Sequence, residues 1–450
     1  MSDIQWTVLE EPAEVNVIES PRHSCALGGA YAAASAIRGI IPLLHSGPGC
    51  SWANFFGLVA GSGGGCLGDF GAMITPCTYL LEKHVVFGGE EKLKELLYST
   101  EKLMKADLLV VIPGCIPNMI GDNVPQIVDE YNEDHDVPAI HVKTAGFTGN
   151  SYRGYELFLD AAIDQYLKKP EEVKKGRVNI LGFAPCQHIF WKGDLREVKR
   201  TLELTGLEVN PIFGDIQGIE SLQSVPEAEL NVVISPWLGI EAAKKLQDKF
   251  GTPFIVQEGL PIGPRDTETF IRRVGEKVGI PEDDLRRRLE PQIKESFQFF
   301  NYVGVGLYMG LTDSYYAVVP ESNIAIGLVR FLTNDAGLLP TVVIVTDSPP
   351  EEYKQSIKQR LTENLTSSEK PEVYFENDAY KIENILDKHT NIVILGSSME
   401  KYLAADKYKA LHLTVSFPSY DRLLLRRSYF GFFGGINLLE DLLTKLTYPL

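Results

Sequence analysis

The sequence predicts an α/β protein of three doubly wound units with mainly parallel sheets. Short, continuously apolar β-branched runs alternate with amphipathic helical stretches along the whole chain, as in sheets covered by helices on both faces. A length of 450 residues at 44% hydrophobic content also exceeds what one ordinary core organises. The third observation is punctuation. The charged segment Lys168-Lys-Pro-Glu-Glu-Val-Lys-Lys-Gly176 precedes a fresh strand, and 281–308 reads as one long helix leading to another strand at 315–319. The units are expected at 1–172, 173–310 and 311–450.

In chain order, the runs that read as strands are Asp107-Leu-Leu-Val-Val-Ile-Pro113, Ala139-Ile-His-Val-Lys143, Arg177-Val-Asn-Ile-Leu-Gly182, Asn231-Val-Val-Ile-Ser235, Thr341-Val-Val-Ile-Val345 and Asn391-Ile-Val-Ile-Leu395. Most carry no polar alternation, the mark of a strand with no wet face. An alanine-rich helix follows Cys25, and 363–370 is polar enough for a surface loop.

Charge narrows the partners. A formal net charge of -17, from 43 basic and 60 acidic residues, disfavours nucleic acid and anionic membranes, both of which first attract positive charge. A protein partner or a small substrate is expected instead. No apolar run reaches the roughly 20 residues a bilayer crossing needs. The start MSDIQWTVLEEPAEV lacks a basic-then-apolar signal, so a cytoplasmic address is expected. Six cysteines are too few for a disulfide scaffold, which leaves metal, catalysis or burial as their uses.

Several chemistries lack their motifs. There is no G-x-x-x-x-G-K-S/T loop, no G-x-S-x-G elbow and no H-E-x-x-H pair, so any ATP chemistry belongs to a partner. Gly61-Ser-Gly-Gly-Gly65 and Gly304-Val-Gly306 do not sit between a strand and a helix, as a phosphate-cradling loop does.

Three cysteines stand out in the first 160 residues: Cys25 in Pro21-Arg-His-Ser-Cys-Ala-Leu-Gly-Gly-Ala30, Cys50 closing Pro42-Leu-Leu-His-Ser-Gly-Pro-Gly-Cys50, and Cys115 in Val110-Val-Ile-Pro-Gly-Cys-Ile-Pro117. Each lies at a strand or loop end beside glycine or proline, where small neighbours admit a bulky inorganic cluster and helix starts favour anionic sulfur. Taken singly, each is more often a small core residue than a ligand. Three thiolates are also one short of a self-contained cubane site, so the remaining ligation is expected from another chain.

The ordered strings Cys25-x-x-Gly-Gly-Ala, His45-Ser-Gly-Pro-Gly-Cys50, Val86-Phe-Gly-Gly89 and Cys115-x-x-x-Met-Ile-Gly-Asp122 resemble the N-terminal half of nitrogenase component-1 chains. Phe147-Thr-Gly149, Ile234-Ser-Pro-Trp237, Pro261-Ile-Gly263, Phe417-Pro-Ser-Tyr-Asp-Arg422 and Arg427-Ser428 extend the resemblance over almost the whole chain. It implies three Rossmann-like domains and a companion α-type subunit, in a heterodimer or an α2β2 heterotetramer. It also implies an iron-sulfur cluster shared at the interface, of the 8Fe-7S P-cluster type or a 4Fe-4S variant. Cys25, Cys50 and Cys115 match the cysteines each subunit gives to that cluster. Phe87 matches an apolar residue where a separate ATP-dependent iron protein docks; read without the family, it is a core aromatic closing a helix.

The family's cofactor-bearing subunit adds a cysteine in the second domain and a histidine near the C-terminus. This chain has Val233-Ile-Ser-Pro-Trp237 and Phe430 there, so its resemblance is to the β-type subunit and the active-site metal cofactor is expected on the companion. Gly146 stands where the β-type pattern often has a cluster-binding serine, and the stretch between Cys50 and Phe87 is unlike the conventional β subunit. The implied function is electron relay to a cofactor reducing dinitrogen or another small molecule such as a methylthio-alkane; a cofactor-assembly scaffold of the same family is the alternative. A metal-free α/β protein using its clefts for an organic ligand is a further reading, and would be colourless.

Cys66 and Cys77 read as unligated thiols, with extra ligation as the other reading. Cys186 and His188 read as structural more than as a metal pair, and His45 as a hydrogen-bonding residue of the Cys50 loop.

Overall fold

The computed structural model describes residues 20–51, 61–63, 75–214, 218–311 and 313–447. Three sheets follow one another along the chain, and every strand pair in them is parallel. The first has β1 (Ile40–His45), β2 (Leu108–Pro113) and β3 (Ala139–His141) in the order β1-β2-β3. The second has β4 (Lys174–Leu181), β5 (Glu208–Asn210), β6 (Ala228–Ile234) and β7 (Phe254–Gln257) in the order β5-β4-β6-β7. The third has β8 (Tyr315–Val318), β9 (Leu339–Val345), β10 (Glu372–Phe375), β11 (Val393–Gly396) and β12 (Leu411–Thr414) in the order β10-β9-β8-β11-β12.

Each expected strand is present to within a few residues, and the long helix runs Glu282–Gly310 with Pro291 inside it. Gly304 and Gly306 are part of this helix, not of a loop. The strands that pattern reading passed over are β1, whose Pro42 argues against a central strand, and the three- or four-residue β5, β7, β10 and β12. β1 lies at the end of its sheet's strand order, a position that tolerates proline.

Alternate strand residues feed different cores. Leu108, Val110 and Ile112 of β2 join a central cluster shared by all three sheets, while Leu109 and Val111 join a separate outer one. In the third sheet Tyr316 and Val318 face the shared core, and Ala317 and Ile394 an outer layer. This two-sided burial is the physical content of the doubly wound prediction.

Buried polar ties join the units. Arg22 pairs with Glu400 and donates to Ser397 Oγ at 2.9 Å. Trp237 Nε1 donates to Asp347 Oδ2 at 2.8 Å, as does Ser322 Oγ at 2.5 Å; burial pushes the Asp347 carboxyl up to about 6. The helix Ala26–Ser35 crosses the helix Ser151–Ala161 so closely that a Cβ on Gly29 would lie 1.7 Å from the Ser151 carbonyl oxygen. Gly29 of the Cys25 string is thus a packing requirement of this helix crossing.

Candidate metal centre

Four thiols, those of Cys25, Cys50, Cys77 and Cys115, are in no disulfide and partly exposed, and they arrive on four segments. Cys25 is the cap residue of the helix Ala26–Ser35; it bridges to Asn150, and the Ala26 N–H donates to the Gly149 carbonyl at 2.9 Å. Cys50 lies in a helical turn beyond β1 and donates its N–H to Gly47 at 3.3 Å. Cys115 opens the short helix Cys115–Ile120 directly after β2, with the Gly114 N–H donating to the His45 carbonyl at 2.9 Å. Cys77 lies on a segment beside β1, where Leu44 donates to Pro76 at 2.9 Å and Thr78 donates to Leu44 at 3.0 Å.

Two small residues gather the sulfurs. A Cβ on Gly146 would lie 2.8 Å from Cys115 Sγ and 3.5 Å from Cys25 Sγ, and the Gly146 N–H donates to Cys115 Sγ at 3.2 Å. Ser46 serves the other pair: its hydroxyl interacts with Cys50, hydrogen-bonds Cys77 Sγ at 3.9 Å, and its carbonyl accepts from the Cys77 thiol at 3.5 Å. Burial raises the Cys50 thiol above its usual pKa; the Ser46 hydrogen bond opposes this, and the charges of Cys25, Cys115 and Cys77 reinforce it. The Cys50 thiol therefore gives up its proton more readily when a cation replaces it.

The donor set therefore fits an iron-sulfur cluster: soft thiols, mutually repelling as thiolates, with a side-chain-free turn beside two of them. Among the described residues, no three His, Cys, Asp or Glu side chains converge tightly enough for a single metal ion. Ligands of a multi-iron group bind different irons and stand further apart.

Behind the thiols, buried His45 ties the β1 loop to neighbouring segments. Its Nδ1 bonds Thr78 Oγ1 at 3.2 Å and its Nε2 bonds Asp122 Oδ2 at 3.1 Å. Burial lowers the imidazole's pKa against the pull of Asp122. Asp122 accepts the Gly89 N–H with both oxygens, at 3.0 and 3.1 Å, and so fixes the Phe87-Gly88-Gly89 turn. Phe87 itself is 87% exposed, beside Val86 at 73%. It closes the helix Glu82–Phe87, as the residue-only reading had it, but it is not a core aromatic, because that helix buries none of its residues. Met119 at 70% and Phe147 at 68% are exposed as well.

The positions where a cofactor-bearing chain has ligands are committed elsewhere. Ser235 Oγ accepts the Leu238 N–H at 3.0 Å, and Phe430 packs edge-on to Phe270 in the core. Cys186 is disulfide-bonded and buried, and Cys66 lies outside the described residues, as does part of the Gly61 to Gly65 run. His188 is held between Asp194 and Glu321, at 2.6 and 2.8 Å. Sequence reading separated Cys77 from the other thiols and gave no role to Ser46 or Asp122, though Ser46 lies in the Cys50 string and Asp122 ends the Cys115 string.

The family model for nitrogenase component 1 type oxidoreductases matches residues 25–447. The chain is 25% identical over 475 residues to the nitrogenase molybdenum-iron protein beta chain of Methanococcus maripaludis, covering 98% of this chain and 96% of that one. It is also 24% identical over 435 residues to the nitrogenase iron-molybdenum cofactor biosynthesis protein NifE of Methanococcus maripaludis, covering 95% and 84%. A solved structure described as nitrogenase Cp1 at pH 6.5 superposes with a TM-score of 0.78 at 20% identity, over 98% of this chain and 95% of that one, and so shares the fold. This chain thus belongs to the nitrogenase component 1 type oxidoreductase family, as a β-type member.

Proposed function

We propose that the chain is the β-type subunit of a nitrogenase-like reductase, in which Cys25, Cys50 and Cys115 hold its share of an iron-sulfur cluster shared with an α-type companion. In this reading, electrons reach the complex from an ATP-dependent iron protein and leave for a metal cofactor on the companion, which reduces dinitrogen or another small molecule such as a methylthio-alkane. The observation that carries it is the meeting of these three cysteines, remote in sequence, on one partly exposed face.

Bound, such a cluster takes up and releases single electrons at low potential. The chain's part is to supply thiolates, so each cysteine gives up its proton as it binds. Gly146 leaves room beside Cys25 and Cys115 and directs an N–H at sulfur, a contact that stabilises negative charge there. The chain from Thr78 through His45 and Asp122 to Gly89 fixes the cluster loop relative to the turn after Phe87. The exposed Phe87 and Val86 offer an apolar docking surface for the iron protein, connected to the thiol loop through that chain.

A second reading, a cofactor-assembly scaffold, is favoured by the likeness to a cofactor biosynthesis protein. The test is iron and acid-labile sulfide content with electron paramagnetic resonance (EPR) on the anaerobically purified complex and on Cys25→Ala, Cys50→Ala and Cys115→Ala. Loss of the cluster in each variant supports the ligand set, and a colourless wild-type complex refutes it. Turnover with an iron protein then separates reductase from scaffold.

A further inference from the structure

We propose that Cys77 is a fourth thiolate donor of this chain to the cluster, binding iron alongside Cys25, Cys50 and Cys115. This rests on the reading of those three as cluster ligands and extends it.

The backbone argues first. The parallel bridge between Leu44 and Cys77, with the Leu80 N–H donating to Ser46 at 3.1 Å, lays residues 76–80 along β1 and into the loop that carries Cys50. That pairing brings a cysteine remote in sequence to the same serine that Cys50 uses. Ser46 thus has both thiols as neighbours. The side chain argues next. Cys77, like the three others, is in no disulfide and partly exposed, whereas Cys186 is enclosed and disulfide-bonded. Its hydrogen bonds, at 3.5 and 3.9 Å through sulfur, are long and weak, so iron displaces little by taking the lone pairs.

Gly146 bonds Cys115 Sγ through its N–H and lies beside Cys25, but it has no side chain to offer a metal. Cys77 supplies one on the Cys50 side. When the Fe–S bond forms, the Cys77 thiol loses its proton to solvent and supplies the bonding pair; no electron is transferred in this step. One more thiolate adds negative charge and disfavours reduction of the cluster.

The test compares wild-type complex with Cys77→Ala and Cys77→Ser, both purified anaerobically with the companion chain, by iron and sulfide content, EPR and redox titration. Cys77→Ala is expected to lose iron or to change the EPR line shape and raise the midpoint potential. Cys77→Ser is expected to keep iron with an altered spectrum or potential, since oxygen replaces sulfur. If Cys77→Ala fails to assemble, the serine variant decides. Variants identical to wild type in iron, spectrum and potential, while Cys25→Ala loses the cluster, overturn the role of Cys77 and leave the three-cysteine reading standing. A wild-type complex without iron overturns both.

Discussion

Replacing His188 by glutamine removes a cation held between two buried carboxylates. Side-chain exposure is 4% for His188, 0% for Asp194 and 5% for Glu321. Burial works against charge on the imidazole, but hydrogen bonds and attraction from Asp194 and Glu321 outweigh it and push His188 up to about 9 from 6.5. At roughly 1.4 kcal/mol per pH unit, that gap contributes about 3 kcal/mol to folding. Because the folded value is raised, the contribution is full below the unfolded value and fades as pH rises through about 9. The wild type should therefore exceed His188→Gln by about 3 kcal/mol at pH 6, about 2 at pH 7.5 and almost nothing by pH 10. Removing one partner from a buried ion pair independently suggests about 3–5 kcal/mol. The loss falls mainly on Glu321, whose Oε1 meets His188 and whose Oε2 has no hydrogen-bond partner, since Asp194 keeps Ser428 Oγ at 2.7 Å and the Tyr429 N–H at 3.0 Å. Urea unfolding followed by tryptophan fluorescence and circular dichroism measures the difference. Glu156 and Asp347, pushed by burial to about 7 and about 6, titrate in the same range but are common to both proteins and cancel. A gap that is equal at pH 6 and pH 10, or absent at both, refutes a charged His188.

Three further outcomes follow from the geometry. Gly146→Val places carbon 2.8 Å from Cys115 Sγ, so iron per complex should fall while assembly with the companion persists; unchanged iron content would remove Gly146 from the site. Phe87→Asp should raise the concentration of iron protein needed for half-maximal electron transfer about tenfold or more, as at interface hot spots, with iron content and EPR unaltered; equal titration curves would place docking elsewhere. Gly29→Ala forces a Cβ to within 1.7 Å of a backbone oxygen and should lower stability by about 1–3 kcal/mol or prevent folding, read as a fall in the thermal midpoint.

Sequence by itself determined the class of the fold. Apolar strands without polar alternation state that both sheet faces are covered, and the long helix Glu282–Gly310 was readable because its pattern persists through Pro291. The three cysteines stood out as candidates, because each sits in a short string of small residues whose order along the chain is specific. Tertiary structure alone decided which distant side chains share a volume. Cys77 joined the thiols because backbone pairing with Leu44 carries it there, and Pro76-Cys77 has no periodicity that announces that pairing. His188 is pushed toward its charged form because Glu321 arrives from another sheet's unit; a sequence places Asp194 near it but cannot supply the second carboxylate. Phe87 is an apolar residue left in solvent, and hydrophobicity reads the same in either setting. Patterns with a period are local and survive in one dimension, whereas a site is a coincidence of segments, set by how the sheets and their helices pack.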